Sequence, residues 1–189
     1  MADQNLNLAK IKFLNSKSVF RGRIFELKKV RIQAPNGRTF QHDVIFHPGA
    51  AVIVPWLEGN RFVMVKQYRA AVGRPIWEFP AGTLEHGENP LACAKREIIE
   101  ETGFQARKWR KLVSFFPAPG ISTEFMHIFL ASELSPKKMT LDKDEFLQKH
   151  ILSFPRLQSM ISNGTIVDAK TIIGFFYFVK KLKNLAKII

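Results

Sequence analysis

The sequence predicts a mixed sandwich of strands and helices, α/β or α+β, and three observations carry that expectation. From Lys12 to Phe79 short apolar runs are broken by turn residues, as in strands. Between Asn89 and Gly103, Leu91, Ala94 and Ile98 recur at helical spacing. Two further helical segments, opened by Pro155 and Asp168, close the chain.

Taken in order, residues 1–10 are polar and are expected to be disordered, and residues 11–189 form one domain. Strands are expected from Lys12 to Phe46, where Phe20, Phe25, Leu27, Val30 and Ile32 supply apolar positions and Pro35-Asn36-Gly37 marks a hairpin. Near-alternation from Ile24 to Ile32 leaves one face wet or set against another subunit. Ala50 to Trp56 is continuously apolar and reads as a buried central strand. Glu58-Gly59-Asn60 turns the chain into the strand Arg61–Tyr68, and Ile76–Phe79 follows. Asn89 suits a helix cap, Pro90 the first helical position and Gly103 the stop. Strands are then expected at Trp109–Phe116, Phe125–Ala131 and Phe146–Phe154, with Ser132–Asp144 as a connection. A short helix from Pro155 ends near Gly164, and a last one runs from the Asp168 cap to about Lys183.

The chemistry concentrates in GTLEHGENPLACAKREIIEETGF, Gly82 to Phe104. Glu97, Glu100 and Glu101 fall three and four residues apart, so their carboxylates crowd one helix face. Like charges so placed repel by about 0.2–0.5 kcal/mol per pair in an exposed helix. A divalent cation would turn that cost into binding. Oxygen ligands without His or Cys point to Mg²⁺ or Mn²⁺ rather than zinc. Glu88 in the preceding loop can approach the same cation, and Arg96 can orient Glu100 from four residues before it. The alternative on spacing alone is a solvated acidic helix face.

Composition narrows the field. The 189 residues are 46% hydrophobic and 24% charged, which excludes a disordered chain and suits one domain with a sizeable core. The single cysteine, Cys93, leaves no internal disulfide, fits a reducing cytoplasm and has a packing role on the helix. No signal peptide is visible, and the apolar run Ile172–Val179 is too short to cross a bilayer. The formal net charge of +13 suggests an anionic partner, yet the basic residues are scattered. A generally basic surface is therefore favoured over a dedicated nucleic-acid site.

The whole pattern is more specific than its charges. Gly, five residues, Glu, seven residues, Arg-Glu, an aliphatic, any residue, Glu-Glu, any residue, Gly and an apolar residue are met by Gly82, Glu88, Arg96, Glu97, Ile98, Glu100, Glu101, Gly103 and Phe104. This resembles the Nudix box without departure. His47-Pro48-Gly49-Ala50, Val65 to Arg69, Glu78 to Gly82, Pro119-Gly120 with Glu124, Asp144-Glu145 and Asp168 to Thr171 are similar to the ADP-ribose and nucleoside diphosphate sugar pyrophosphatase branch of that family.

The resemblance implies an α/β/α sandwich with a mixed sheet and an N-terminal antiparallel strand region. It further implies Mg²⁺-dependent hydrolysis of a nucleotide sugar to a nucleoside monophosphate and a sugar phosphate. Carried over by position, it implies that the Ala81 carbonyl, Glu97 and Glu101 bind metal, with Glu100 a further ligand. Arg69 and Glu78 match substrate contacts, and Phe20 sits either on the base or in the core. Glu145 matches a loop carboxylate that reaches the metals or activates water, but Lys143 stands where another acid is common. The general base is therefore Glu145 first, with Asp144, Asp142 and Glu100 behind it. The resemblance also implies a homodimer through residues 11–46, with 47–189 as the catalytic core. Competing readings are a Nudix hydrolase of RNA 5′ ends or dinucleoside polyphosphates, and a non-catalytic nucleotide-binding Nudix module.

Overall fold

The computed structural model describes residues 8–139 and 146–186, with side chains up to residue 182 in the last helix. The described chain divides into two compact units, residues 8–48 with 118–124, and residues 49–117 with 125–186.

The first unit is an antiparallel three-stranded sheet in the order β1 (Lys12–Arg21), β2 (Glu26–Gln33), β3 (Thr39–Phe46). Gln33 pairs with Thr39 across the expected Pro-Asn-Gly hairpin, closed by the Ala34 N–H donating to Arg38 O at 2.8 Å. The segment 118–124 is tied to β3, because the Ile45 N–H donates to Ile121 O and the Thr123 N–H to Ile45 O, at 2.8 and 2.9 Å. β1 is exposed along its whole length, with Phe13, Val19 and Phe20 all more than half open. Leu8–Lys10 forms a single 3₁₀ turn before it. Residues 1–7, part of the segment expected to be disordered, lie outside the described residues.

The second unit is built on β4 (Ala50–Leu57), buried from Ala50 to Pro55 as the continuous apolar run requires. Around it lie β5 (Arg61–Arg69), β6 (Arg74–Glu78), β7 (Ala81–Thr83), β8 (Phe104–Phe115), β9 (Met126–Pro136) and β10 (Leu147–Ser153). The strand order is β10-β5-β4-β9-β8, with β6 on β5 and β7 on β4. Among the described strands of this unit only β4 and β9 pair parallel, so the sheet is mixed.

The two-residue period of β4 separates two cores. Ala51 and Ile53 pack with Cys93, Ala94 and Ile98 of α1 (Pro90–Thr102). Val52 and Val54 pack with Leu157 and Met160 of α2 (Phe154–Ser162) and with Phe175 and Phe178 of α3 (Ala169–Ala186). Helices thus cover both faces, the expected α/β/α arrangement. Full burial of Val52, Ile53 and Val54 contributes about 1.5–3 kcal/mol each.

Several element boundaries differ from expectation, and one short strand was not expected. β8 starts at Phe104 rather than Trp109, and β9 continues to Pro136, where Ser132 was expected to begin a connection. The two strands pair antiparallel from Phe104↔Pro136 to Phe115↔Met126. β8 ends the strand order, and its extra half carries exposed Gln105, Arg107 and Lys108, so backbone pairing rather than apolar patterning defines it. The three-residue β7 was too short to leave a pattern. α2 starts at Phe154, one residue early, because the Ser153 side chain caps it. Among the described residues, no helix is long and apolar enough to cross a membrane.

Candidate active site

The acidic helix is fixed at both ends by the residues that its sequence singles out. Asn89 Oδ1 accepts the Leu91 N–H at 2.9 Å, and Pro90 fills the first turn without wasting a donor. Gly103 ends the helix at φ 65°, a left-handed conformation that costs glycine little, and its N–H donates to Ile99 O. Lys149 of β10 donates to Thr102 O at 2.7 Å, placing a cation on the negative helix end.

Held in this way, Arg96 sits among three carboxylates. Its Nη1 donates to Glu97 at 2.7 Å and to Glu100 at 2.9 Å. Nε and Nη2 grip the two oxygens of Glu88 at 3.2 and 3.1 Å, so the loop carboxylate is drawn onto the helix. That hydrogen bonding holds the Glu88 carboxyl below its ordinary range and raises Arg96 above its own. Glu101 is only 1% exposed, and its Oε2 accepts the Ala81 N–H at 3.1 Å. One guanidinium against these four carboxylates leaves the cluster strongly negative in a chain whose formal charge is +13.

Gly82 is required by close approach. A Cβ there would lie 1.7 Å from Glu97 Oε1, so any side chain would evict the carboxylate. Cys93 lies in the same core, with Sγ 3.6 Å from Gly82 O. Burial first, and then the charges of Glu97 and Glu88, push its thiol up to about 12.

Among the described residues no three His, Cys, Asp or Glu side chains already form a metal cage, and Glu88, Glu97 and Glu100 converge on Arg96. The donor chemistry nonetheless suits a hard divalent cation: carboxylates, a backbone carbonyl at Ala81, and excess negative charge. Arg96 is thus a wider organiser than its expected pairing with Glu100 alone.

Arg69 and Glu78 are brought together by the β5–β6 hairpin. Arg69 Nε and Nη2 donate to Glu78 Oε1 and Oε2 at 2.6 and 2.7 Å, a bidentate pair. Glu78 also accepts from Lys170 Nζ, which donates to Asp168 at 2.9 Å. Burial works to raise the Glu78 carboxyl, but Arg69 and Lys170 hold it below its ordinary range. Lys170 went unrecognised as a site residue in the sequence. A cation in the first turn of a helix opposes the helix dipole, and that was the available signal that it has a carboxylate partner.

Other expected positions fall elsewhere. Phe20 belongs to the three-stranded unit, where the residue is 56% exposed and its ring lies 6.1 Å from that of Phe25, so it is not a core residue there. Glu145, Asp144, Asp142 and Lys143 lie outside the described residues. His127, which had no assigned role, has Nδ1 2.9 Å from Ser114 Oγ; burial and the Lys111 charge lower its pKa.

The chain is similar to several known proteins. An ADP-ribose pyrophosphatase of Bacillus subtilis (strain 168) is 35% identical over 172 residues, covering 90% of this chain and 93% of the relative. A methanol dehydrogenase activator of Bacillus methanolicus is 36% identical over 168 residues, covering 88% and 91%. A crystal structure of an ADP compounds hydrolase superposes with a TM-score of 0.82 at 24% identity, covering 93% of this chain and 96% of that one, and so shares the fold. The profile of the NUDIX domain matches residues 46–172, and the chain belongs to the Nudix family.

Proposed function

We propose that the protein hydrolyses the pyrophosphate bond of ADP-ribose or a related nucleoside diphosphate sugar, with Mg²⁺ as the working cation and Mn²⁺ able to replace it. The observation that carries this reading is the complete set of box carboxylates, three held by Arg96 and Glu101 by the Ala81 N–H, with the cationic side chain of Arg69 partly open to solvent. Similarity to an ADP-ribose pyrophosphatase along 90% of the chain supports the choice of substrate.

The divalent metal that Nudix hydrolases use neutralises charge on the diphosphate and acidifies bound water. Glu97, Glu101 and the Ala81 carbonyl would hold it, with Glu100 beside them. Arg96 keeps Glu88, Glu97 and Glu100 aimed, so that no carboxylate has to reorganise when substrate arrives. Arg69 takes a phosphate oxygen through its outer N–H groups. A carboxylate accepts the proton of the attacking water, and Glu145 is our first assignment, with Glu100 the described alternative. The products from ADP-ribose and water are AMP and ribose 5-phosphate.

The same proposal includes a homodimer, supported by the full exposure of β1 and its apolar side chains. It places the protein in the cytoplasm, consistent with one buried, unpaired cysteine.

Product release by the purified protein with Mg²⁺ tests the reading, using ADP-ribose, GDP-mannose, a dinucleoside polyphosphate and 5′-triphosphate RNA at equal concentration. We expect kcat/KM for a nucleoside diphosphate sugar to exceed the others at least about tenfold, equivalent to about 1.4 kcal/mol of transition-state discrimination. Turnover needs no second protein, although one relative is named as an activator of another enzyme. Preference for RNA or the polyphosphate would overturn the assignment, and Glu101→Gln activity equal to wild type would overturn the role of the box.

A further inference from the structure

Glu78 matches a position expected to touch substrate, yet its surroundings assign it different work. Its side chain is 1% exposed and already accepts three hydrogen bonds, two from Arg69 and one from Lys170. Reaching a substrate would mean breaking a buried charge pair, and a carboxylate left unpaired there is strongly disfavoured.

The partners form a closed set. Lys170 Nζ bridges Glu78 and Asp168, while Asp168 Oδ2 accepts from the Thr171 N–H at 3.0 Å and from its hydroxyl at 2.6 Å. The Thr171 hydroxyl oxygen in turn accepts the Phe79 N–H at 2.7 Å, so the first turn of α3 is laced to the end of β6. Two cations and two carboxylates balance, which is how such a group persists in a largely dry setting.

Arg69 is the member of the set that faces outward. Glu78 engages Nε and one hydrogen of Nη2, so the remaining three N–H groups have no partner among the described residues. The Arg69 side chain is 39% exposed. Arginine binds phosphate best when its planar fork is held in advance, because less rotamer freedom is then lost on binding.

We propose that Glu78 and Lys170 are positioning residues that act through Arg69: Lys170 locks Glu78, Glu78 clamps one edge of the guanidinium, and the other edge meets the substrate diphosphate. The proposal rests on the function proposed above, deepens it, and removes Glu78 from direct substrate contact.

The experiment combines kinetics with arginine side-chain NMR. In the wild type the Arg69 Nε–H, assigned by its loss in Arg69→Lys, should give a slowly exchanging signal. Lys170→Met should speed that exchange at least about tenfold and raise KM for ADP-ribose about tenfold, with kcat changed less than about threefold, since the loss falls on binding geometry. Lys170→Arg should restore both to within about threefold. Asp168→Asn keeps a good helix cap but removes the charge that steadies Lys170. It should move both quantities in the same direction by about threefold, and it provides the test if Lys170→Met does not fold. Unchanged KM with only a lowered melting temperature would overturn the proposal. So would a raised KM with unchanged exchange, because Lys170 would then touch substrate itself. Wild-type inactivity on ADP-ribose would sink the proposed function alone, and the exchange rates would still decide the positioning role.

Discussion

At the scale of single residues, Gly82 and Cys93 show how a site is made by what is kept out. Glu97 lies over Gly82 so closely that a methyl group there would occupy the position of its carboxylate. Gly82→Ala should therefore lower kcat/KM by about ten- to a hundredfold, the range seen when a metal ligand loses its support, while the helix keeps its circular dichroism. Activity within twofold of wild type would mean that Glu97 is not needed where it stands. Cys93 is fully buried and its thiol is pushed up to about 12, first by burial and then by Glu97 and Glu88. A protonated, covered thiol is a poor nucleophile. Native protein at pH 8 should resist iodoacetamide for hours and react within minutes in 6 M guanidinium, as mass spectrometry would read. Prompt native alkylation would contradict the packing role.

At the scale of elements, the loop before α1 and the helix itself act as one unit through Arg96. Glu88 is held below its ordinary pKa chiefly by its hydrogen bond to Arg96, and Glu78 below its own by Arg69 and Lys170 against the opposing effect of burial. A depressed carboxylate contributes stability that is complete above the unfolded-state value, about 4.3, and is lost as pH falls through the lower folded value. Denaturant midpoints should therefore be flat from pH 7 to about 5 and fall below about 4.5. Glu88→Gln should be less stable at pH 7 and show a shallower acid decline. Equal slopes in the two proteins would remove Glu88 from that balance. These elements also show what a sequence discloses. The caps of α1, the buried run of β4 and the carboxylate spacing are local, so Asn89, Gly103 and Glu97 could be read directly. The first half of β8 is polar and exists through pairing with β9, and Lys170 meets Glu78 across ninety-two positions. Such long-range partners leave little periodicity to read. The Arg96 fan lies between, since Glu100 is one helical turn away but Glu88 is brought in only by the loop.

At the scale of the whole molecule, the charge distribution is two-sided. The formal net charge is +13, while the box gathers three carboxylates around one guanidinium, with Glu101 a fourth on the Ala81 N–H. The first should attract an anionic nucleotide sugar from a distance, and the second should draw the cation that accompanies it. Several basic groups are already paired, Lys29 with Asp43 at 2.9 Å and both Arg107 and Lys108 with Glu133, so the attraction is a field of the surface rather than one groove. Screening separates such a field from contact chemistry, because the Debye length shrinks from about 30 Å at 0.01 M salt to about 8 Å at 0.15 M. At fixed saturating Mg²⁺, raising KCl over that range should lower kcat/KM for ADP-ribose about three- to tenfold, mostly through KM. Replacing three exposed lysines that make no described ion pair, Lys12, Lys17 and Lys95, by glutamine should flatten that dependence without altering kcat. A salt-independent KM in the wild type would show that the surplus positive charge does not serve substrate capture.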